Sequence, residues 1–184
     1  KVYTKKPSTD LPNSRIVISG GFKHDLLHFQ RHYLKQLRYS NMKVESSQNL
    51  PDVSAIFQDC NHIFFVGHGN ENEGEGFNYY YDYIDAFRLR ADTLEMLSKE
   101  VEVLALLSCA SEPYADIHRI AKYFILPDTA FSEYAEMFIK GFYRKWEEFG
   151  DIELNIQLGL IALLLRSNKT LVFNVYKDGL PFKI

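Results

Sequence analysis

The stretches IFFVGHG (63–69) and VLALLSCAS (103–111) decide the fold of this chain. Each is a continuous apolar run of strand length that ends at glycine or at small residues, which is typical of strands buried on both faces of a sheet. Four further runs are predicted strands: RIVISGG (15–21), KVESS (43–47), YFILPD (123–128) and TLVFNVY (170–176). The segments between them have helical spacing or helix signals, at 24–39, 51–58, 90–99, 114–122, 129–149 and 151–166. This alternation predicts an α/β fold with three αβα layers and a mainly parallel central sheet.

The composition bounds the class of protein. The 184 residues are 46% hydrophobic and 24% charged, which suits one globular domain with a full core. A net charge of −3 is too small to indicate binding to nucleic acid or to a membrane surface. No segment approaches the ~20 apolar residues of a membrane span, and no signal peptide is visible, so we expect a cytoplasmic location. We expect residues 1–14 to be a linker or trailing end and residues 15–184 to form the domain.

His68 and Cys109 are the residues with predicted chemistry. His68 lies between two glycines after the first quoted strand, and Cys109 lies between small residues after the second. Ligands of such sheets bind beyond the carboxyl ends of the strands, where both residues fall. A thiol within reach of an imidazole is an activated nucleophile. The two motifs therefore predict a cysteine–histidine hydrolase, in the first place a peptidase.

The chain has two cysteines, which is too few for a disulfide framework. Cys60 precedes its strand and Cys109 follows another, so in a parallel sheet the two sulfurs lie at opposite edges, roughly 20 Å apart. A disulfide needs a separation of a few ångströms. We therefore expect two free thiols in a reducing compartment, with a structural role for Cys60.

These motifs also resemble those of the caspase-like cysteine peptidases. GHG after an apolar strand, followed about forty residues later by SCAS, is most similar to CHAT domains, which are relatives of caspases, separases and metacaspases. The tail of the chain supports the resemblance, with Asp128 opening a helix, then Phe138, Phe142-Tyr143, Gly150 and an amphipathic helix. The resemblance covers roughly residues 15–176.

The resemblance implies roles for named residues. Cys109 would be the nucleophile and His68 its general base or imidazolium partner, and the backbone N–H groups of Gly69 and Cys109 would form the oxyanion hole. A donor of that kind is typically worth ~3 kcal/mol of barrier. No metal or organic cofactor is implied. The resemblance also implies a protein or peptide substrate and a regulatory or sensor module, within a larger bacterial signalling or defence protein. Unlike caspases proper, the chain has no processing linker between two subunits.

An acidic stretch follows His68. Residues 70–85 contain five carboxylates and no basic residue. A solvated loop or hairpin is the simple interpretation, and an acidic lip that attracts a basic peptide is the functional one. Separase-like relatives favour a basic residue before the scissile bond, so Glu112 and Asp128 are candidate substrate-binding residues.

Two other functions remain open at the level of sequence. The same fold with an unformed site would serve as a catalytically inactive interaction or adaptor module. A flavodoxin-like or nucleotide-binding domain is disfavoured, because Gly20-Gly21 lacks the G-x-G-x-x-G pattern and no P-loop exists. His24, His28 and His32 lie on one helical face, but three ligands stacked along one helix do not easily reach one ion, so we predict no metal.

Overall fold

The computed structural model describes residues 13–18, 42–46, 57–66, 77–79, 87–89, 101–107, 121–127, 135–165 and 173–183. In chain order, the elements within these ranges are β1 (Ser14–Ile18), β2 (Met42–Ser46), β3 (His62–Val66), β4 (Phe77–Tyr79), β5 (Phe87–Leu89), β6 (Val103–Leu107), β7 (Tyr123–Pro127), α1 (Ala135–Tyr143), α2 (Trp146–Phe149), α3 (Ile152–Leu164), β8 (Phe173–Lys177) and β9 (Leu180–Pro181). Each of the six predicted strands has a counterpart among them. The helices predicted between residues 24 and 122 lie outside the described ranges, apart from the end of the second at 57–58 and the end of the fourth at 121–122, where the chain bends and is not helical.

Seven of the described strands form one mixed sheet in the order β2-β1-β3-β6-β7-β8-β9. The pairs from β2 to β7 are parallel, whereas β8 runs antiparallel to both β7 and β9. The predicted α/β class is confirmed. The sheet is mixed because β8 returns beside β7 and then folds back into β9 through Asp178 and Gly179. Both turn residues have positive φ, 50° and 79°, as a two-residue hairpin requires.

A separate antiparallel pair, β4 with β5, begins within the acidic stretch that follows β3. Its register joins Phe77 to Leu89 and Tyr79 to Phe87. The hairpin interpretation of that stretch is therefore confirmed for these strands, although β5 begins beyond residue 85.

Both faces of the central strands are buried. One face packs against α1 and α3 and contributes alternate residues to the core, among them Phe64, Ala105 and Ile125. The intervening residues, such as Phe65, Leu104 and Phe124, are also fully buried, at 0% exposure. A sheet that is buried on both faces explains why β3 and β6 are continuously apolar instead of alternating.

The helical segment predicted at 129–149 is interrupted where the structure describes it. α1 ends at Tyr143 and α2 begins at Trp146. Between them the Arg144 N–H donates to the Gly141 carbonyl, three residues back, so the last turn tightens and the chain changes direction. The predicted end at Gly150 is confirmed: its φ is 54°, and its N–H donates to the Trp146 carbonyl.

The sequence of α3 explains where this helix begins. The Asp151 carboxylate accepts a hydrogen bond from the Leu154 N–H at 3.0 Å, which caps the helix. The prediction of a clearly amphipathic helix is wrong in the last turn. There Leu164 and Leu165 are 62% and 80% exposed, while Leu163 is buried.

Candidate functional site

The carboxyl ends of β3 and β6 lie side by side in the sheet. The two strands are parallel neighbours, and their register runs from His62 with Val103 to Val66 with Leu107. All ten residues of the two strands are buried. Both strands therefore end at the same level of the same edge, in the middle of the sheet.

The predicted catalytic residues lie just beyond that edge in sequence. His68 is two residues after Val66, and Cys109 is two residues after Leu107. His68, Gly69 and Cys109 themselves lie outside the described residues, as do the predicted substrate-binding residues Glu112 and Asp128. The structure therefore shows where the two strands end, at Val66 and Leu107, and each motif follows one of these ends in sequence.

Cys60 lies at the other edge of the sheet. It is a half-buried thiol two residues before the first residue of β3, so the five residues of that strand separate it from the end at Val66. Asp59 next to it has a left-handed φ of 56°, which marks the turn that leads into the strand. The predicted position of Cys60, opposite the end that leads to His68, is confirmed.

At this amino edge the structure contains a buried polar cluster, which we call the His62 cluster: His62, Ser14, Tyr143, Trp146 and Glu102. The Tyr143 hydroxyl donates to Ser14 Oγ at 2.7 Å and lies 3.2 Å from His62 Nδ1. The tyrosine hydroxyl thus contacts both the serine hydroxyl and the imidazole. β1, β3 and α1 are therefore joined by one chain of hydrogen bonds.

Aromatic rings enclose the imidazole of His62, which has 0% exposure. The ring of Trp146 meets it edge-on with 5.0 Å between centroids, and the ring of Phe142 does so at 5.7 Å. Nε2 of His62 and Nε1 of Trp146 are buried and have no hydrogen-bond partner among the described residues. The nearest carboxylate oxygen to Nε2, Oε2 of Glu102, is 3.8 Å away, which is beyond hydrogen-bond distance.

Burial and charge act in opposite directions on His62. Removal of water lowers the pKa of the imidazole, and the Glu102 carboxylate partly opposes this shift. The pKa of Glu102 is also held below its usual range, because the carboxylate would pair with the protonated form of His62 and because Lys122 is near, with 3.6 Å between its Nζ and Oε1 of Glu102. The net result is a neutral histidine beside an ionised, half-exposed carboxylate.

A second polar group joins α3 to the antiparallel part of the sheet. The Tyr123 hydroxyl donates to Glu153 Oε1 at 3.1 Å, and Lys177 Nζ donates to the same oxygen at 2.5 Å. The ammonium of Lys177 also lies over the rings of Tyr123 and Phe182, at 5.8 and 5.9 Å. Burial, reinforced by the Glu153 carboxylate, raises the pKa of Tyr123 to about 12. This arrangement holds a neutral phenol and is structural.

No motif in the sequence predicts the His62 cluster. Ser14 was placed in the linker, and Tyr143 was noted only as part of a tail pattern. The available signal was weak: a polar residue at the start of an apolar strand, as in SRIVI and HIFFV, needs a partner when buried. The partner comes from 81 residues away in the case of His62, a distance that no local pattern encodes.

Neither a scan of protein-family models nor a search of curated proteins returned a match for this chain. Among the residues that the structure describes, no group of three His, Cys, Asp or Glu side chains is arranged to hold a metal ion. None of the described helices has the length and apolar character needed to cross a membrane. Function is therefore inferred from residue chemistry and sheet geometry.

Proposed function

We propose that this chain is a cysteine endopeptidase with a caspase-like αβα fold of the CHAT type, in which Cys109 is the nucleophile and His68 its partner. The register of β3 with β6 carries the proposal. Val66 and Leu107 are paired neighbours, and each motif residue follows its strand end by two positions. Equal offsets from a paired position on adjacent parallel strands favour close approach of the two side chains.

The chemistry needs only this chain and water. The Cys109 thiolate attacks the carbonyl carbon of a peptide bond, and the N–H groups of Gly69 and Cys109 bind the oxyanion. The oxyanion collapses to a thioester as protonated His68 gives its proton to the leaving amine. His68 then takes a proton from water, whose oxygen attacks the thioester and releases the acid and the thiolate.

The resemblance extends the proposal to the cellular setting. CHAT-like domains sit beside sensor or repeat modules, and we place this domain as the effector of a larger cytoplasmic bacterial signalling or defence protein. Its partners are then a peptide or protein substrate and the regulatory module. The acidic stretch 70–85, with Glu112 and Asp128, supports a substrate with a basic side chain before the scissile bond.

The test is covalent labelling by a peptide that carries a thiol-reactive group, combined with turnover of a peptide library. Cys60→Ser is the matched control, because it removes the thiol at the other edge of the sheet. We expect Cys109→Ala to abolish labelling and turnover, His68→Ala to reduce turnover by orders of magnitude, and Cys60→Ser to preserve both. Near-native turnover in His68→Ala would contradict the dyad. Absence of labelling at Cys109 and of turnover of every peptide in the library would favour the adaptor function.

A further inference from the structure

The His62 cluster has the parts of a proton-sensitive junction. Its imidazole is fully buried, has one nitrogen engaged with Tyr143, and leaves the other without a hydrogen-bond partner among the described residues. A second proton on the ring would place a full charge inside an aromatic enclosure, which is unfavourable unless a counter-charge comes into contact. Glu102 supplies that counter-charge from 3.8 Å.

We propose that protonation of His62 draws its imidazole towards Glu102 and loosens the contact of α1 and α2 with the amino edge of the sheet. At neutral pH the imidazole is hydrogen-bonded to Tyr143, which in turn bonds to Ser14, so α1 is held against β1 and β3. After protonation the ring gains an ion pair with Glu102, at the expense of its packing against Trp146. This inference is independent of the proposed peptidase activity.

The charged groups around His62 define the route of the proton. Glu102 is 36% exposed, so it connects the buried nitrogen to solvent. Lys122, before β7, competes for the Glu102 carboxylate. From the other packed elements, β1 contributes Ser14, α1 contributes Tyr143 and α2 contributes Trp146, none of which is charged at neutral pH. Among the side chains described in this helical segment, the exposed charged ones are Lys140, Arg144, Lys145 and Glu148.

The direction of the pH effect follows from burial. The pKa of folded-state His62 is lowered, whereas that of an unfolded-state histidine is ~6.5. The folded state therefore binds this proton less readily than the unfolded state. The stability that neutral, buried His62 contributes is fully present above pH ~6.5 and is lost as the pH falls through the folded-state pKa of His62.

Trp146 makes the proposal directly measurable, because it is the single tryptophan of the chain and its ring is 5.0 Å from His62. The experiment is a pH titration of tryptophan emission on the 184-residue chain, with far-UV circular dichroism in parallel. We expect an emission transition with its midpoint below pH ~6.5. It should precede any loss of helical signal, since only one junction opens.

Three variants separate this junction from general acid denaturation. His62→Gln should lose the transition. Glu102→Gln, which removes the counter-charge at a half-exposed position, should move the midpoint to lower pH. Lys122→Gln, which frees the carboxylate, should move it to higher pH. If His62→Gln does not fold, the opposite shifts of the other two variants decide. An unshifted midpoint in Glu102→Gln, the same transition in His62→Gln, or coincident emission and helical transitions would each overturn the proposal.

Discussion

Tyr143 shows how one side chain can hold distant parts of this chain together. Its hydroxyl donates to Ser14, 129 positions away, and its oxygen meets the imidazole of His62. Its ring packs edge-on against Phe142 and Phe64 with centroid separations of 4.8 and 5.7 Å. The residue combines the apolar area of an aromatic ring with a polar tip that satisfies buried partners, which phenylalanine cannot do.

We therefore predict that Tyr143→Phe lowers the free energy of unfolding by about 1–3 kcal/mol, because it removes the partner of the buried His62 Nδ1 while the ring packing remains. Urea denaturation at neutral pH measures the change. Ser14→Ala should cost less, and the double variant should lose less than the sum, since both substitutions break one shared network. Additive losses, or a change below ~0.5 kcal/mol in Tyr143→Phe, would show that the network does not contribute.

Asp151 is the N-cap residue of α3 and stabilises the start of that helix. Its carboxylate accepts from the Leu154 N–H, one of the donors left open at the start of α3. Asp151→Ala should destabilise the protein by about 0.5–2 kcal/mol, and Asp151→Asn, which keeps an oxygen acceptor, should destabilise it less. Equal losses in the two variants, measured by denaturant titration, would mean that the helix start is held by something other than this cap.

At the scale of elements, the crossing of α1 and α3 depends on Gly141. A Cβ added at Gly141 would lie 2.6 Å from the Leu158 carbonyl oxygen and 2.7 Å from Ala162 Cβ. One of these atoms belongs to the backbone of the facing helix, which cannot move aside without separating the pair. Close approach of the two helices is therefore possible only with hydrogen at this position.

Gly141→Ala should consequently be destabilising despite the better helix propensity of alanine. Propensity favours the substitution by ~1 kcal/mol, whereas forced overpacking in a core costs about 1–3 kcal/mol and more where backbone is displaced. Thermal and urea unfolding measure the net loss, with Arg144→Ala as an exposed control that should stay within ~0.5 kcal/mol. A stabilised Gly141→Ala protein would mean that the helices separate at little cost.

Most strands of the large sheet were predictable from sequence because they are short apolar runs with glycine, proline or polar residues at their ends; β2 is the polar exception. β3 and β6 are examples, and their neighbouring parallel placement follows from alternation with helices. The break between α1 and α2 was not predictable, because it depends on a tightened turn at Gly141–Arg144 that leaves the hydrophobic pattern unchanged. β9 was missed because it has two residues, and its Asp178-Gly179 turn is the signal that identifies it.

For the candidate site, sequence predicts residue types and the edge to which their strands lead, but not contacts. The register of β3 with β6 supplies the lateral alignment that spacing along the chain cannot provide. The His62 cluster was not predictable, because its members come from positions 14, 62, 102, 143 and 146 and share no local pattern.

At the scale of the whole molecule, the amino and carboxyl edges of the sheet differ in structure. The amino edge is closed by the His62 cluster and the aromatic rings of α1 and α2. The carboxyl edge is where β3, β6 and β7 end, and the motifs with predicted chemistry follow it in sequence. A buried, closely packed amino edge stabilises the strands whose opposite ends lead to the proposed site, so packing and the proposed chemistry are separated by the length of a strand.

We expect the substrate preference to depend on the charge of the residues that follow the strands at the proposed carboxyl-edge site. The stretch 70–85 is acidic without basic residues, and Glu112 and Asp128 follow the ends of β6 and β7. A carboxylate in a pocket pairs with a guanidinium through two hydrogen bonds and repels an acidic side chain. We expect kcat/KM for matched peptides to be at least about tenfold higher with Arg than with Asp before the scissile bond, a difference of ~1.4 kcal/mol.

A peptide with Leu at that position serves as the neutral reference. Glu112→Gln and Asp128→Asn should lower the ratio of kcat/KM for the Arg peptide to that for the Leu peptide, without abolishing cleavage of the Leu peptide. Equal or faster cleavage after Asp would exclude an acidic pocket while leaving the Cys109–His68 dyad intact.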